Sequence, residues 1–286
     1  MENKENRSSN RTLWIVVAVV LVAMCLCVLA ITAIGLGVFT LGPVRLDGGL
    51  AMQRDVIERS FEVGAAPSLE IDDFAGTVTV RAGGPGTIQV VATRRASNRS
   101  RLEQIQVDMT EQGGGLLIKA QKPAGFGNAS VDLEISAPPD SRLTVRTGAG
   151  NVDVQSVAGP VTANSGAGNI EIEGVPGEIE VHTGAGNVRV VGAAGPVRLN
   201  TGVGNIDYDG VPKGECRFES GVGNIQLRMP AGVNVRVDLT TGVGNIGLDF
   251  DVTGQNTKRE VRGVIGSGDQ GQVFAHTGTG DIDLRR

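Results

Sequence analysis

From Thr147 onward, apolar residues recur two apart in short pairs: Val152 and Val154, Ile170 and Ile172, Val188 and Val190, Ile206 and Tyr208, Ile225 and Leu227, Ile246 and Leu248. One residue separates the members of each pair, the period-2 signature of a strand with one buried face. A second series follows the same rule: Val161 and Ala163, Ile179 and Val181, Val197 and Leu199, Cys216 and Phe218, Val235 and Val237. Two strands therefore recur in each unit. A turn opens every unit, in the segments Thr147-Gly-Ala-Gly-Asn151, Ser165-Gly-Ala-Gly-Asn169, Thr183-Gly-Ala-Gly-Asn187 and Thr201-Gly-Val-Gly-Asn205, at intervals of 18 residues. Ser220-Gly-Val-Gly-Asn224 comes 19 residues later, Thr241-Gly-Val-Gly-Asn245 a further 21, and Thr277-Gly-Thr-Gly-Asp281 a further 36.

One such unit cannot bury its apolar stripe, but stacked units share a core and satisfy each other's backbone groups. The pattern predicts an all-β fold, a β-solenoid or β-helix-like stack of ~18-residue coils. A meander of antiparallel hairpins has the same periodicity, although identical turns at one spacing favour in-register stacking. The aligned Asn residues are expected to form a ladder bonded to backbone amides. Residues 57–146 alternate less regularly, over Ser68–Asp72, Thr77–Val80, Thr87–Thr93, Ile105–Thr110, Leu116–Ala120 and Val131–Ser136, with a hairpin connection at Gly113-Gly114-Gly115. They read as divergent first coils and a cap. Asp251 to Gln272 breaks the repeat and reads as an irregular coil near the C-terminal end, where solenoids need capping.

Leu13 to Leu41 carries no charge and exceeds the ~20 residues that cross a bilayer as a helix. Lys4, Arg7 and Arg11 precede it, so the expected orientation is N-in with the β region outside. Cleavage as a signal peptide near Ala30 is an alternative, but the apolar run continues to Leu41. The expected organisation is a cytoplasmic tail over 1–12, a membrane anchor over 13–41, a linker over 42–56, divergent coils over 57–146 and the regular solenoid over 147–286. The localisation that follows is the cell membrane, single-pass.

Composition narrows the chemistry. There are 43 glycines, 3% aromatics, one Trp and one Tyr, so the core is built from aliphatic side chains. A net charge of −5 without a Lys/Arg block gives no nucleic-acid footprint. Cys25 and Cys27 lie in the apolar segment and Cys216 stands alone, so no disulfide framework or cysteine zinc site can be built. Every Gly-x-Gly here opens a strand, whereas a phosphate loop opens a helix, so nucleotide binding is rejected. The turn carries Asn in six copies and Asp only at Asp281, a poor donor set for Ca²⁺. His182 and His276 occupy a position held elsewhere by Asn164, Asn200 and Glu219, an outward polar site rather than a ligand or base. Asp153, Glu171, Arg189, Asp207 and Gln226 are expected to stack on one outward face, and Glu180, Arg198, Arg217 and Arg236 on another. Mixed charges of this kind suit a solvated surface better than a pair of catalytic carboxylates. No catalytic, cofactor-binding or metal-binding residue is assigned.

Leu69-Glu-Ile71 leading to Gly76-Thr-Val-Thr-Val80, Val131-Asp-Leu-Glu-Ile-Ser-Ala-Pro-Pro139 leading to Leu143-Thr-Val145, and the serial turns from Thr147 together carry a resemblance. Over roughly residues 57–286 the chain resembles the bacterial putative-adhesin family of β-strand repeats, a domain of unknown function. The resemblance implies a membrane-anchored or exported β-solenoid and supplies no catalytic residue. The expected function is non-enzymatic, adhesion or envelope interaction at the cell surface. The partner would be an envelope polymer, a surface or a membrane protein, and the solenoid ends could self-associate. An envelope-stress accessory role through a membrane partner is the alternative, and a polysaccharide-active enzyme is a third reading.

Overall fold

The computed structural model describes residues 52–125 and 127–286. Among these no helix is long and apolar enough to cross a membrane. The stretch Leu13–Leu41 lies outside the described residues. The described chain is all-β apart from one short helix, α1 (Arg99–Leu102), capped by Asn98, whose Oδ1 accepts from the Arg101 amide at 2.9 Å.

Each rung of the stack contributes one strand to each of two sheets. The middle rungs run in order through β8 (Arg142–Ala149) and β9 (Val152–Gln155), β10 (Val161–Ala167) and β11 (Ile170–Glu173), β12 (Ile179–Ala185) and β13 (Val188–Ala193), β14 (Val197–Val203) and β15 (Ile206–Gly210), and β16 (Gly214–Val222) and β17 (Ile225–Arg228). Pairing is parallel and in register, as in Val161 with Ile179 and Ile170 with Val188. The meander is thereby excluded, because successive strands of a sheet come from successive coils. These middle rungs bury the alternating Val, Ile and Leu of their strands, and Tyr208 and Phe218, from adjacent rungs, pack with ring centroids 5.0 Å apart.

The ends depart from sequence order. β18 (Val235–Val243) and β19 (Ile246–Leu248) do not follow β16 and β17 directly. β22 (Gly271–Thr279) and β23 (Ile282–Arg285) intervene, pairing in parallel on both sides. The segment after Asp251 is a hairpin rather than an irregular coil. β20 (Thr253–Asn256) and β21 (Glu260–Ile265) pair antiparallel, and β21 covers β18. The insertion also corrects the register inferred from sequence. Val237, not Val235, aligns with Cys216 through Val273, and Leu239 aligns with Phe218 through Ala275. Buried Met229 and Val233 take up the added residues in the connection before β18.

The other end repeats this plan. β2 (Ser68–Ala75) and β3 (Val78–Ala82) stack on β8 and β9, and are covered by β6 (Gly115–Gln121) and β7 (Ala129–Ala137). Outside them, β4 (Thr87–Ala96) pairs antiparallel with β7, β1 (Gln53–Glu62) with β4, and β5 (Gln106–Gln112) with β6. β1 begins inside the stretch read as linker, because its alternation starts before Ile57. The β5–β6 turn uses Gly113 and Gly114 at φ 60° and 80°, the backbone a two-residue hairpin requires. Leu102 and Ile105 are buried beneath this end.

Candidate functional site

The repeated corner joins the two sheets, and its five residues have separate tasks. The Thr or Ser turns inward and is buried, and in most rungs its hydroxyl donates to the carbonyl of the second glycine one rung away. Ser165 reaches Gly150 O at 3.2 Å, Thr201 reaches Gly186 O at 2.9 Å and Thr277 reaches Gly223 O at 2.8 Å. The second glycine approaches its neighbour closely. A Cβ on Gly168, at φ +151°, would meet Gly150 O at 2.0 Å. The Asn closes the corner through its side chain. Oδ1 of Asn151 accepts the Asn169 amide at 3.0 Å, Asn169 that of Asn187 at 2.9 Å, and Asn187 that of Asn205 at 2.9 Å. Asp281 continues the ladder without interruption, donating its amide to Asn224 and accepting that of Asn245, both at 2.8 Å. Thus Asp281 performs the same backbone task as the asparagines.

Outside this corner lies a shallow groove of ≈ 530 Å³. The first glycines, Gly148, Gly166 and Gly184, line its floor, Arg146, Asn164 and His182 line one rim, and Asp72 and Asp73 line it in the β2 rung. That rim is a row that crosses the sheet one residue per rung: Asp72, Arg146, Asn164, His182, Asn200, Glu219, His276. Both histidines therefore stand in the outward row read from the sequence, and both are exposed. His182 Nε2 lies 3.3 Å from Glu180 Oε1. The residue between the two glycines, Ala149, Ala167, Ala185, Val203, Val222, Thr279 or Val243, makes a parallel row of small side chains on the exposed corner.

Asp153, Glu171, Arg189, Asp207 and Gln226 are neighbours in register on the other sheet, with Glu171 and Arg189 at 3.4 Å. Glu180, Arg198 and Arg217 are likewise adjacent, but Arg236 does not join them. It aligns with Glu215 through Gln272, and Phe274 and Asp238 continue the row instead, for the register reason given above. Among the described residues no group of three or more His, Cys, Asp or Glu side chains could hold a metal ion. Cys216 is a buried free thiol whose pKa burial pushes up.

One polar residue was not singled out by its pattern. Asp73 occupies the Thr position in the β2 rung, opposite Thr147, and is 2% exposed. Neither carboxyl oxygen has a hydrogen-bond partner, and the Thr147 hydroxyl has none either. Burial pushes the Asp73 pKa up to about 7. The Ala75 and Phe74 amides offset part of that shift without forming hydrogen bonds, while Asp132 and Asp72 add to it. Laying Leu69-Glu-Ile-Asp-Asp-Phe-Ala-Gly76 over Leu143-Thr-Val-Arg-Thr-Gly-Ala-Gly150 finds this substitution from sequence alone.

Comparison with known proteins gives the family. No curated protein sequence matches the chain. Among solved structures, one described as a "putative adhesin" from Bacteroides fragilis is 16% identical, with a TM-score of 0.47, covering 80% of this chain and 97% of that one. A "putative cell adhesion protein" from Clostridium sporogenes is 11% identical, with a TM-score of 0.41, covering 82% and 99%. The family model Toastrack DUF4097 matches residues 67–279, from the strand that carries Asp73 to the last Thr-Gly-x-Gly turn. The chain belongs to the Toastrack DUF4097 family.

Proposed function

We propose that the chain is a non-enzymatic, membrane-anchored solenoid whose corner groove holds an extended envelope polysaccharide at the cell surface. The observation that carries this reading is the row Arg146, Asn164, His182 and Asn200 beside a glycine floor, with one polar side chain per rung. Rungs of a sheet lie ~4.8 Å apart, so the row offers hydrogen-bonding groups at an even pitch to a linear polymer that runs along the stack. The Asn amides and the His182 imidazole suit hydroxyls, and the flanking charges are of both signs. The uncharged segment Leu13–Leu41 supplies the anchor in this reading.

The test is retention of the full chain on insoluble cell-envelope polysaccharide. A variant carrying Asn164→Ala, His182→Ala and Asn200→Ala should lose most of that retention while unfolding at an unchanged temperature. Failure of the unaltered chain to bind any envelope fraction would remove the reading. Appearance of new reducing sugar ends during incubation would replace it with an enzymatic one.

A further inference from the structure

β1 is the outermost strand of the 11-stranded sheet. All ten of its residues pair with β4 on one side, and among the described residues no strand pairs with its other side. It is the longest open edge in the described chain. At the opposite end β19 has three residues and β20 four, the latter all exposed and polar or glycine. Short, polar edges resist pairing with other chains, and a ten-residue edge invites it.

The side chains along β1 select a partner. Ile57 and Phe61 pack against the core, so Arg54, Val56, Glu58 and Ser60, with Met52 just before the strand, occupy the other face. Met52 and Val56 are 48% and 41% exposed, and they are the large exposed apolar side chains that lie at a sheet edge rather than at a corner or turn. Arg54 stands opposite Arg95, whose charge Asp132 already takes up. Among the described residues neither Arg54 nor Glu58 has an ion-pair partner.

We infer that β1 is a self-pairing strand, and that two copies of the chain join β1 to β1 antiparallel about a two-fold axis at Val56. In that register Arg54 of each copy faces Glu58 of the other, the two Val56 side chains meet, and Met52 covers Ser60. Cross-strand pairs of opposite charge stabilise this register. A two-fold axis at Glu58 would oppose the two Glu58 side chains. An axis at Ile57 would leave Arg54 facing Ser60 and Glu58 facing Val56, and the Asp55 it would set opposite Arg59 is already held by Arg94. Because the register keeps the outward faces on one side, the two sheets become one continuous sheet with both cores on its other face.

Residues directly opposite in an antiparallel pair have Cα atoms ~4.5–5.5 Å apart, within the range a disulfide spans. The test uses the full chain with Cys25→Ser and Cys27→Ser, Cys216 being buried. Val56→Cys should give a covalent dimer under mild oxidation. Val203→Cys, at a position no less exposed but on a corner, should give at least tenfold less. Adding Arg54→Glu to Val56→Cys should cut the dimer about tenfold, and adding Glu58→Arg as well should restore it. Thermal unfolding of each variant checks that the fold is intact. Equal yields from the Val56→Cys and Val203→Cys chains, or no restoration by the double charge swap, would overturn the inference. So would capture of a different protein by the Val56→Cys chain.

Discussion

At both ends of the stack a rung near the flank of the repeat is covered by another. β6 and β7 lie outside β2 and β3, just as β18 and β19 lie outside β22 and β23. Beyond that shared plan the ends diverge. The end carrying β1 adds antiparallel strands to both sheets and seals the core with Leu102 and Ile105 at 1% and 0% exposure. The opposite end adds a hairpin to one sheet only and leaves Ile246 and Leu248 partly exposed on the three-residue β19. Covering a rung satisfies both of its hydrogen-bonding edges and passes the edge problem to its cover. One end then presents a ten-residue edge, and the other tapers to strands of three and four residues.

The largest effect should come from removing the covered rung at the tapering end. Terminating the chain after Asp269 deletes β22 and β23, with buried Val273, Ala275, Ile282 and Leu284. At ~1.5–3 kcal/mol for each of the three large apolar side chains, the loss is about 4.5–9 kcal/mol. Hydrogen exchange should show β18 and β19 unprotected while β8 to β13 stay protected. If protection survived in β18, the comparison between covered and covering rungs would be wrong.

Asp73 tests the covered rung at the other end. Its folded-state pKa, about 7, lies above the ordinary carboxylate value of 3.8, so the folded chain holds the proton more tightly than the unfolded chain. Stability should therefore fall as pH rises from about 4 to about 7 and level off above that. Asp73→Thr restores the hydroxyl of the other rungs. It should add about 2–4 kcal/mol at pH 8, add much less at pH 4, and flatten the profile. Denaturant unfolding at the two pH values measures the difference.

The middle of the stack supplies the yardstick. Gly168→Ala places a Cβ against Gly150 O and should cost about 3 kcal/mol. Asn187→Ala removes one ladder acceptor from the exposed Asn205 amide and should cost about 1 kcal/mol. A loss several times larger would show that the ladder acts cooperatively along the stack. Smallest of all, Gly232→Ala, in the loop before β18 with nothing within 4 Å of the added carbon, should change stability by under ~0.5 kcal/mol. Thermal unfolding of the three variants decides both points.

Much of this architecture was legible because each rung writes its own signature. The alternation of Ile170 with Ile172 and of Ile179 with Val181, and the Asn at each corner, specify strands, buried faces and the ladder without reference to distant residues. The order of the rungs was not legible, for the same reason. A rung beginning at Val273 fits against Cys216 as well as Val237 does, and local pattern cannot rank two equivalent neighbours. The misplacement of Arg236 followed from that ambiguity, since the connection holding Met229 and Val233 is longer than its counterparts. Asp73 was hidden differently, in a divergent rung whose first glycine is replaced by Phe74, so its corner did not stand out as a corner. The groove beside Gly166 and Gly184 became visible only once the rungs were stacked, because no single unit contains it.

The insertion of β22 and β23 also imposes an order in time. β18 and β19 are synthesised first, at a moment when their eventual neighbour does not yet exist and β16 offers a matching but wrong edge. The slot between them must either stay open or reopen. A strand that enters later and pairs on both sides then locks the earlier ones in place. Such a closure would withhold the finished register until the residues through Arg285 have arrived. An incompletely synthesised chain would then be distinguishable, by its open slot, from a complete one.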